Sequence, residues 1–474
     1  MIQMSKKDFM KTSKLFLAAL AFATAITFAS CSDDEPKDDP NKDQPEEPTT
    51  PSADTEMTDT EMRVSGTWKS GSIVNLDRHL VIPEGKSLTI EPGVTVIVST
   101  AGVGVNHAPI EVIVKGNLYC LGSDTQPILF SVEQSKRTAE NALKGLWGGF
   151  VATETCAEMV FDHTIIEYTG AQVIEGSPAA TAGIYTAGDD AYPQITTTNI
   201  NGSYVVTNSV LRNGWSDAIY LMGGRAIITN NTFAANGFSG GEAVNLKAGV
   251  IADVAGNIMF SPNTNGLKLS SSGQSENRGQ AKVNAYNNTI INAGWRRDGE
   301  KGGCIYVEKN VLVNVVNNLL VNCKFRAMTP SYKTPNTPDG GYDDKSIIDY
   351  NFYASGSQRS SIVYPEESNV AYAYEGYNYN HKSYNSAVVD VHSLISTADK
   401  LLDPMFVNFN INEVALTEYI YNDAWDFHLS VNSPALEGAL TVAPFTPYFA
   451  SGLTLGGITY VSPSLAPYFG ACGK

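Results

Sequence analysis

Five short segments in the middle of the chain share a pattern in which an aromatic or polar residue directly follows an aliphatic residue. Successive side chains of a β-strand point to opposite faces, so aliphatic residues that face a core direct their neighbours outward. These outward residues are Tyr185, Tyr220, Asn245, Lys268 and Tyr306. We therefore expect them to form one column across adjacent strands.

A second outward column is expected two residues further along each strand, at Met222, Lys247, Ser270 and Glu308. Together the columns form a stripe with three tyrosines, two lysines, an amide and a carboxylate. Aromatic rings stack on the apolar faces of sugars, and amides and lysines reach hydroxyls or uronate carboxylates. The stripe thus favours polysaccharide binding, although tyrosine is also common on ordinary strand surfaces.

The two lysines of the stripe also permit a polysaccharide lyase. β-Elimination from a uronate needs a base at C5 and a cation that neutralises the carboxylate. Lys247 and Lys268 lie on neighbouring predicted strands, where each lowers the pKa of the other, so either is a candidate catalytic base. Arg296 and Arg297 are candidate carboxylate partners. Calcium is expected only under this lyase hypothesis, and the acidic residues that could hold it belong to a separate loop, at Asp339, Asp343 and Asp344.

Other catalytic chemistries lack their motifs. The pair Asp189-Asp190 is not followed by the Gly-His-Gly of β-helix polygalacturonases and reads as a solvated turn. The six histidines form no motif, and His163 is most simply a turn residue. Neither a Gly-x-Ser-x-Gly nor a His-Glu-x-x-His sequence nor a phosphate loop occurs, and no Cys/His spacing suits a metal. The sequence therefore predicts no metal site and no cofactor.

The elements that would position the stripe are indicated by a repeated phrase, a short apolar run followed by one or two Asn and two further apolar residues. Successive copies are separated by 23, 26, 31, 30 and 33 residues. A repeat of that length with strand chemistry predicts a stacked solenoid, in which the same Asn of each coil bonds to its copies as an amide ladder. The ladder positions expected from the phrase are Asn208, Asn231, Asn257, Asn288, Asn318 and Asn351.

Both ends of this repeat region resemble the opening and closing coils of right-handed parallel β-helix proteins of Bacteroidota surfaces, with a pectate-lyase-like fold. The opening likeness rests on Ile82-Pro83-Glu84-Gly85, on Leu88 to Val94, on Pro127-Ile128-Leu129-Phe130 and on Trp147-Gly148-Gly149; the closing likeness rests on Leu402 to Val407, on Asp426-Phe427-His428-Leu429 and on Ser433-Pro434-Ala435. The resemblance implies an all-β, right-handed, single-stranded parallel β-helix. It leaves function open, because this fold hosts lyases, hydrolases, adhesins and inert spikes.

The N-terminus predicts export. A basic stretch is followed by an apolar run that is too short to span a bilayer comfortably and ends in Phe28-Ala29-Ser30-Cys31. This ending resembles a lipobox, which implies cleavage before Cys31 and lipidation of its thiol. The following Ser32-Asp33-Asp34-Glu35 resembles the surface-export tag of Bacteroidota lipoproteins. A plain secretory peptide and a periplasmic lipoprotein remain the alternatives.

The net charge restricts the classes of partner that the chain can bind, and the cysteine count restricts its disulfide bonding. The chain has 32 Lys and Arg against 49 Asp and Glu, a formal net charge of -17, which argues against nucleic acid as a partner. Beyond Cys31, the chain has cysteines at 120, 156, 304, 323 and 472. Their odd number rules out a complete intramolecular disulfide set. We expect buried, reduced thiols, with a Cys304–Cys323 bridge as the alternative.

These observations predict four segments: a lipoprotein signal peptide (1–30), the lipidated Cys31 with a disordered acidic tether (31–62), the β-helix (63–440) with inserted loops at 329–345 and 364–385, and a C-terminal cap (441–474). We expect a lipid-anchored outer-membrane protein that faces the cell exterior. It would bind a glycan or another surface macromolecule without catalysis, beside an outer-membrane uptake complex. The alternatives are the uronate lyase and a structural or adhesive protein.

Overall fold

The computed structural model describes residues 53–238, 240–297, 302–324, 327–330, 341–357, 390–396 and 400–474. The described chain is almost entirely β-structure, with one short α-helix, α1 (Pro178–Thr181). The first strands are β1 (Asp54–Met57), β2 (Glu61–Trp68), β3 (Ile73–Leu76), β4 (His79–Ile82), β5 (Ser87–Ile90), β6 (Thr95–Val98), β7 (Val112–Val114), β8 (Asn117–Leu121), β9 (Ile128–Ser131), β10 (Phe150–Ala152), β11 (Glu158–Asp162) and β12 (Thr164–Glu167).

The middle strands are β13 (Ile195–Thr197), β14 (Ser203–Thr207), β15 (Val210–Arg212), β16 (Ile219–Leu221), β17 (Gly224–Thr229), β18 (Thr232–Ala234), β19 (Val244–Leu246), β20 (Val250–Ala255), β21 (Ile258–Phe260), β22 (Asn265–Ser270), β23 (Lys282–Tyr286) and β24 (Thr289–Ile291). The last are β25 (Gly303–Glu308), β26 (Leu312–Val316), β27 (Leu319–Val321), β28 (Met328–Pro330), β29 (Ile347–Ile348), β30 (Phe352–Ala354), β31 (Leu394–Ile395), β32 (Phe406–Asn408), β33 (Asp426–Leu429), β34 (Leu453–Leu455) and β35 (Ile458–Tyr460).

Each turn of the solenoid contributes one strand to each of three parallel sheets, which we call faces 1, 2 and 3. Face 1 consists of the first half of β2 and of β4, β7, β10, β13, β16, β19, β22, β25 and β28; face 2 consists of the second half of β2 and of β5, β8, β11, β14, β17, β20, β23, β26 and β29; face 3 consists of β3, β6, β9, β12, β15, β18, β21, β24, β27, β30 and β31. Crossovers between parallel strands are right-handed as a rule, and a solenoid built from them coils in a right-handed sense. The predicted parallel β-helix is confirmed.

The turn between faces 2 and 3 is built from a residue with positive φ followed by a residue of the amide ladder. The positive-φ residues include Asn208, Asn230, Asn287 and Asn317, with φ from 49° to 56°. In the ladder itself, each Asn donates its Nδ2 to the Oδ1 of the next at 2.9–3.0 Å, through Asn231, Asn257, Asn288, Asn318 and Asn351. These amides satisfy the buried backbone of a turn that bends toward the core.

The ladder differs from the prediction at one end. Ser209, and not Asn208, holds the ladder position: its backbone N–H donates to Asn231 Oδ1 at 3.0 Å. Asn208 lies one residue earlier, where the left-handed conformation suits its short polar side chain, and it donates instead to Asp162 Oδ1 at 3.1 Å. The predicted turn role of His163 is confirmed, since its φ is 48°.

The C-terminal chain wraps the side of the solenoid. Phe406, Phe409 and Phe427 pack with Phe260 and Phe352 against the outward side of face 3. In the predicted cap, residues 441–474, Phe449, Leu453 and Leu455 pack on Val160, Val205 and Ile227 of face 2, and Phe469 joins the cluster on face 3. The apolar clusters and hydrogen bonds of this wrapping chain therefore involve faces 2 and 3.

A buried carboxylate helps to hold the chain that covers face 2. Asp253, on β20, is fully buried and accepts hydrogen bonds from the backbone N–H groups of Tyr448 and Phe449 at 3.1 and 2.9 Å. It also accepts from Ser462 Oγ at 2.6 Å and from Asn284 Nδ2 at 2.7 Å. Four donors thus satisfy a charge that would otherwise be costly to bury.

Several predicted boundaries and pairings need correction. The tether ends before residue 54, because β1 pairs antiparallel with β2 there. Cys304 and Cys323 form a disulfide, whereas reduced thiols were expected; the two residues lie close together because they flank the same coil. Cys120 and Cys156 are free and buried, as expected, and Cys472 is free and half-buried.

Parts of the predicted organisation lie outside the described residues. These include 1–30, Cys31 and the loop at 364–385, together with residues 331–340 of the loop predicted at 329–345. Thr329 and Pro330 of that predicted loop belong to β28. Among the helices that the structure describes, none combines the length and the apolar character that a bilayer crossing requires.

Candidate functional site

Four of the five predicted column residues lie side by side on face 1. Tyr220 of β16 pairs in register with Asn245 of β19, then with Lys268 of β22 and with Tyr306 of β25. Their aliphatic neighbours point into the core, as the alternation requires. Tyr220, Lys268 and Tyr306 are half-buried, and Asn245 is only 4% exposed.

Tyr185 does not belong to this column, and its predicted strand position is wrong. The register position beside Tyr220 is held by Thr196 of β13. Tyr185 lies in an insertion between β12 and β13, which leaves the coil and folds back over face 1. There the hydroxyls of Tyr185 and Thr196 are 2.6 Å apart, and the Tyr185 ring meets the Tyr192 ring edge to face at 6.1 Å. The insertion therefore places Tyr185 next to the stripe, in contact with Thr196 of β13.

The second column surrounds Lys247. Its Nζ lies 5.2 Å from the centre of the Tyr220 ring, a cation–π distance. Burial and then the charge of Lys268 lower the pKa of Lys247, while the nearby carboxyls of Glu242, Asp217 and Glu308 oppose that shift. Glu308 in turn accepts a hydrogen bond from Ser270 Oγ at 3.2 Å.

Two carboxyls at the base of the stripe were missed by the sequence analysis. Asp217 and Glu242, each 8% exposed, precede Tyr220 and Asn245 by three residues on adjacent coils. Asp217 accepts from Asn245 Nδ2 at 2.9 Å and from the Glu242 backbone N–H at 2.8 Å. Burial and the neighbouring Glu242 carboxyl raise the pKa of Asp217 well above its usual range. Each acid stands three residues before a residue of the first column, and this repeated spacing was the sequence signal that could have revealed them.

Glu242 also lies near a cation of the first column, because Lys268 Nζ is 3.9 Å from Glu242 Oε1. The lysine therefore already has a carboxyl neighbour within the protein. Asn245 Oδ1 is buried without a protein hydrogen-bond partner. The base of the stripe thus combines acidic, basic and amide groups on three adjacent coils.

The stripe opens at its N-terminal end into a cleft of about 300 Å³. Its walls include Tyr185, Trp215 and Tyr220, with Asp217 beside them. Trp215 also stacks on Phe238, which does not line the cleft; the ring centres are 6.4 Å apart, the planes are inclined by 19°, and Phe238 is 66% exposed. Both aromatics follow an Asn-Gly pair on adjacent coils, a signal that the sequence analysis did not use.

The turn pair Asp189-Asp190 also lines the cleft. Asp189 is exposed, as a solvated turn predicts, and Asp190 accepts a hydrogen bond from the Thr186 N–H at 2.7 Å. The cleft is therefore lined by three acidic residues and three large aromatic residues. It can offer hydrogen-bond acceptors and flat apolar surfaces to a polar ligand.

Arg296, a predicted carboxylate partner, is already engaged elsewhere. Its guanidinium donates to the carbonyl oxygens of Asn236 and Ser261 at 3.0 and 2.9 Å, and burial lowers its pKa to about 10. The adjacent Arg297 accepts a hydrogen bond from Lys324 Nζ through its carbonyl. These contacts hold the turn between faces 3 and 1, so the prediction for Arg296 is wrong.

The predicted calcium loop is described only in part. Asp343 accepts from Gln280 Nε2 at 2.8 Å and from the Lys345 N–H at 2.9 Å, while Asp339 lies outside the described residues. In the part of the chain that the structure describes, no group of three or more His, Cys, Asp or Glu side chains could hold a metal ion.

No protein-family model, no curated protein and no solved structure matches this chain.

Proposed function

We propose that the protein is a cell-surface glycan-binding β-helix that acts without catalysis, and that face 1 is its binding surface. One observation carries this proposal: the aromatic and acidic cleft continues into the register of Tyr220, Asn245, Lys268 and Tyr306. The wrapping C-terminal chain packs on the other two faces. Face 1 thus offers half-buried aromatic and polar side chains on a rigid sheet.

The spacing of the solenoid suits an extended chain of sugars. Adjacent parallel strands lie about 4.8 Å apart, so the three steps from Tyr220 to Tyr306 cover roughly 14 Å. Tyrosine rings at the two ends of this run provide stacking surfaces, and the amide and lysine between them provide hydrogen-bonding groups. Such a run fits an oligosaccharide better than a single small molecule.

The charge around the cleft favours a neutral glycan. Asp189 and Asp190 line it, and carboxylates at these positions would repel the carboxylates of a polyuronate. Asp217, with its raised pKa, adds a hydrogen-bonding group rather than a full charge. Lys268 already has Glu242 as a neighbour. A neutral sugar chain would place its hydroxyls against the acidic oxygens and its apolar faces against the rings.

The uronate lyase remains the second candidate because the pKa of Lys247 is lowered by burial and by Lys268, as a catalytic base requires. Incubation with acidic polysaccharides tests it through the absorbance of unsaturated uronate products. A rise in absorbance that is lost in Lys247→Ala would replace the binding proposal with the lyase.

The proposed location is the outer membrane, with a lipid on Cys31, the binding domain outside the cell, and an outer-membrane uptake complex as partner. The export sequence and the acidic residues after Cys31 support it. The Cys304–Cys323 disulfide also supports it, since disulfides persist outside the cytoplasm. Protease treatment of intact cells checks the location: the protein should be cleaved before the cells lyse, and full protection would contradict surface exposure.

A glycan array tests the binding proposal. The best ligand is then titrated into the wild type and into the double variant Tyr220→Ala/Tyr306→Ala. Because each stacking ring contributes roughly 1 kcal/mol or more, removing both should weaken binding by at least about tenfold. The matched control is Tyr419→Ala/Tyr448→Ala, two rings of the C-terminal chain that are each 36% exposed. The control should bind as the wild type does. No ligand on a broad array would instead favour the structural or adhesive alternative.

A further inference from the structure

A second cavity lies on face 1 near the N-terminal end of the solenoid and has a volume of about 510 Å³. Its apolar wall includes Ile113 of β7, Val151 of β10 and Ile184 of the insertion. His79 and Glu111 also line it. The volume is within the range of small-molecule sites. The lining combines the apolar wall with polar side chains, which include Glu61 and Lys115.

Glu111 is the unusual member of this lining. It is fully buried, and its Oε1 accepts hydrogen bonds from the Ala179 backbone N–H at 3.2 Å and from the Tyr192 hydroxyl at 2.9 Å. Its Oε2 is buried without a hydrogen-bond partner in the protein. Buried polar atoms are normally paired, so an unpaired carboxyl oxygen in a cavity wall calls for a donor.

The cavity is assembled from separate parts of the chain. His79 begins β4, Glu111 directly precedes β7, and Ala179 and Tyr192 belong to the insertion between β12 and β13. The insertion packs Ala179 and Tyr192 on Val151 in a small apolar cluster of its own. It thus excludes water from one oxygen of Glu111 and leaves the other without a protein donor.

The neighbouring histidine does not supply the missing donor. His79 Nδ1 accepts from the Glu111 backbone N–H at 3.3 Å, so the neutral ring carries its proton on Nε2. Burial lowers the pKa of His79 to about 4, so the ring brings no positive charge to Glu111 near neutral pH. Lys115 and Glu61 also line the cavity, but neither hydrogen-bonds to the Glu111 carboxyl. A positively charged ligand can therefore complement an ionised Glu111.

We propose that this cavity binds a small organic ammonium ion with a compact apolar body. The ammonium group donates to Glu111 Oε2, and the apolar body packs on Ile113, Val151 and Ile184. A charged donor forms the stronger type of hydrogen bond to a carboxylate. Burial also raises the pKa of Glu111 to about 7, so a bound cation can ionise the carboxyl at little cost near neutral pH.

The test measures dissociation constants of 2-phenylethylamine, 2-phenylethanol and 3-phenylpropanoate by ligand-observed NMR on the wild-type chain. The three probes share an apolar body and differ in the charge of the head group. The amine should bind at least about tenfold more tightly than the alcohol, and the carboxylate should not bind. Absence of amine binding, or equal binding of amine and alcohol, would overturn the proposal.

Three variants locate the binding. Glu111→Gln keeps an amide oxygen for the Ala179 and Tyr192 donors but replaces Oε2, so amine binding should fall at least about tenfold. Thr181→Trp, at an exposed position of the cavity wall, should block the amine without altering Glu111. The control Glu133→Gln removes a half-buried carboxyl that does not line the cavity and should bind normally. Wild-type affinity in Glu111→Gln would refute the assignment to Glu111.

Discussion

At the scale of single residues, burial governs the chemistry of the two candidate sites on face 1. Glu111 and Asp217 are carboxyls enclosed by the sheet and by the insertion, and burial is the largest cause of the raised pKa of each. Lys247 shows the corresponding decrease for a cation. Because burial disfavours the charged forms, binding of a ligand of opposite charge can change the protonation state of these groups.

The raised pKa of Glu111 predicts how stability depends on pH. The folded pKa is about 7, above the ordinary value of 4.5, so this group's contribution is fully present below pH 4.5 and is lost as pH rises through 7. Glu111→Gln should remove that loss. Relative to the wild type, its free energy of unfolding should therefore improve by on the order of 3 kcal/mol between pH 4 and pH 8.

Denaturant unfolding at both pH values measures this difference. Glu84→Gln, at an exposed position that does not line this cavity, provides the control. Parallel pH profiles for the wild type and Glu111→Gln would show that Glu111 ionises normally in the folded protein and would contradict its buried environment.

At the scale of elements, the amide ladder links the coils and keeps the strands of face 1 in register. Asn288 illustrates its contribution: Oδ1 accepts from the N–H and Nδ2 of Asn257, and Nδ2 donates to Val254 O and Asn318 Oδ1. All these groups are buried. Removing the side chain therefore leaves several of them unsatisfied at once.

Asn288→Ala should accordingly lower the free energy of unfolding by roughly 3 kcal/mol or more. Asn208→Gly is the matched control, because Asn208 is exposed, lies outside the ladder and has a φ of 50° that glycine adopts readily. Its effect should be within about 1 kcal/mol. Equal losses in the two variants would show that the ladder adds no stability beyond that of an ordinary turn.

The sequence predicted the repeated elements well because their signals are local. Alternating aliphatic residues and the Asn phrase identified the strands and most of the ladder, including Tyr220 and Asn288. Tyr185 was misplaced because Gly183-Ile184-Tyr185 imitates a strand inside an insertion, where tertiary packing and not alternation decides its position. Asp217 and Glu242 were missed although they share one phase, because their pairing becomes apparent only when the strands are aligned.

At the scale of the whole molecule, the solenoid and the C-terminal chain that wraps it together determine which surface a ligand can reach. This wrapping was not predictable, since it depends on contacts such as those between Asp253 and Ser462, which are distant in sequence. The cysteines show the same limit: the sequence predicted the burial of Cys120 and Cys156, but the Cys304–Cys323 pairing depends on proximity in space. The C-terminal chain is thus part of the domain's architecture.

Asp253→Ala should release that chain locally. Amide hydrogen exchange over residues 445–462 should accelerate by at least about tenfold while the solenoid strands keep their protection, because the variant removes the acceptor of three hydrogen bonds donated by this segment. Asp423→Ala, which removes an exposed acidic group from the same wrapping chain, is the control. Unchanged exchange in Asp253→Ala would mean that the Asp253 contacts do not hold the segment, and that its apolar packing and its other hydrogen bonds, such as Gly456 N–H to Glu158 Oε2, are sufficient.

The most direct test of face 1 as the binding surface is the hydrogen-exchange footprint of the best array glycan on the wild-type chain. The proposal predicts slower exchange in β16, β19, β22 and β25 and in the turns before them, with faces 2 and 3 unchanged. Protection confined to the C-terminal chain or to faces 2 and 3, with none on face 1, would contradict it.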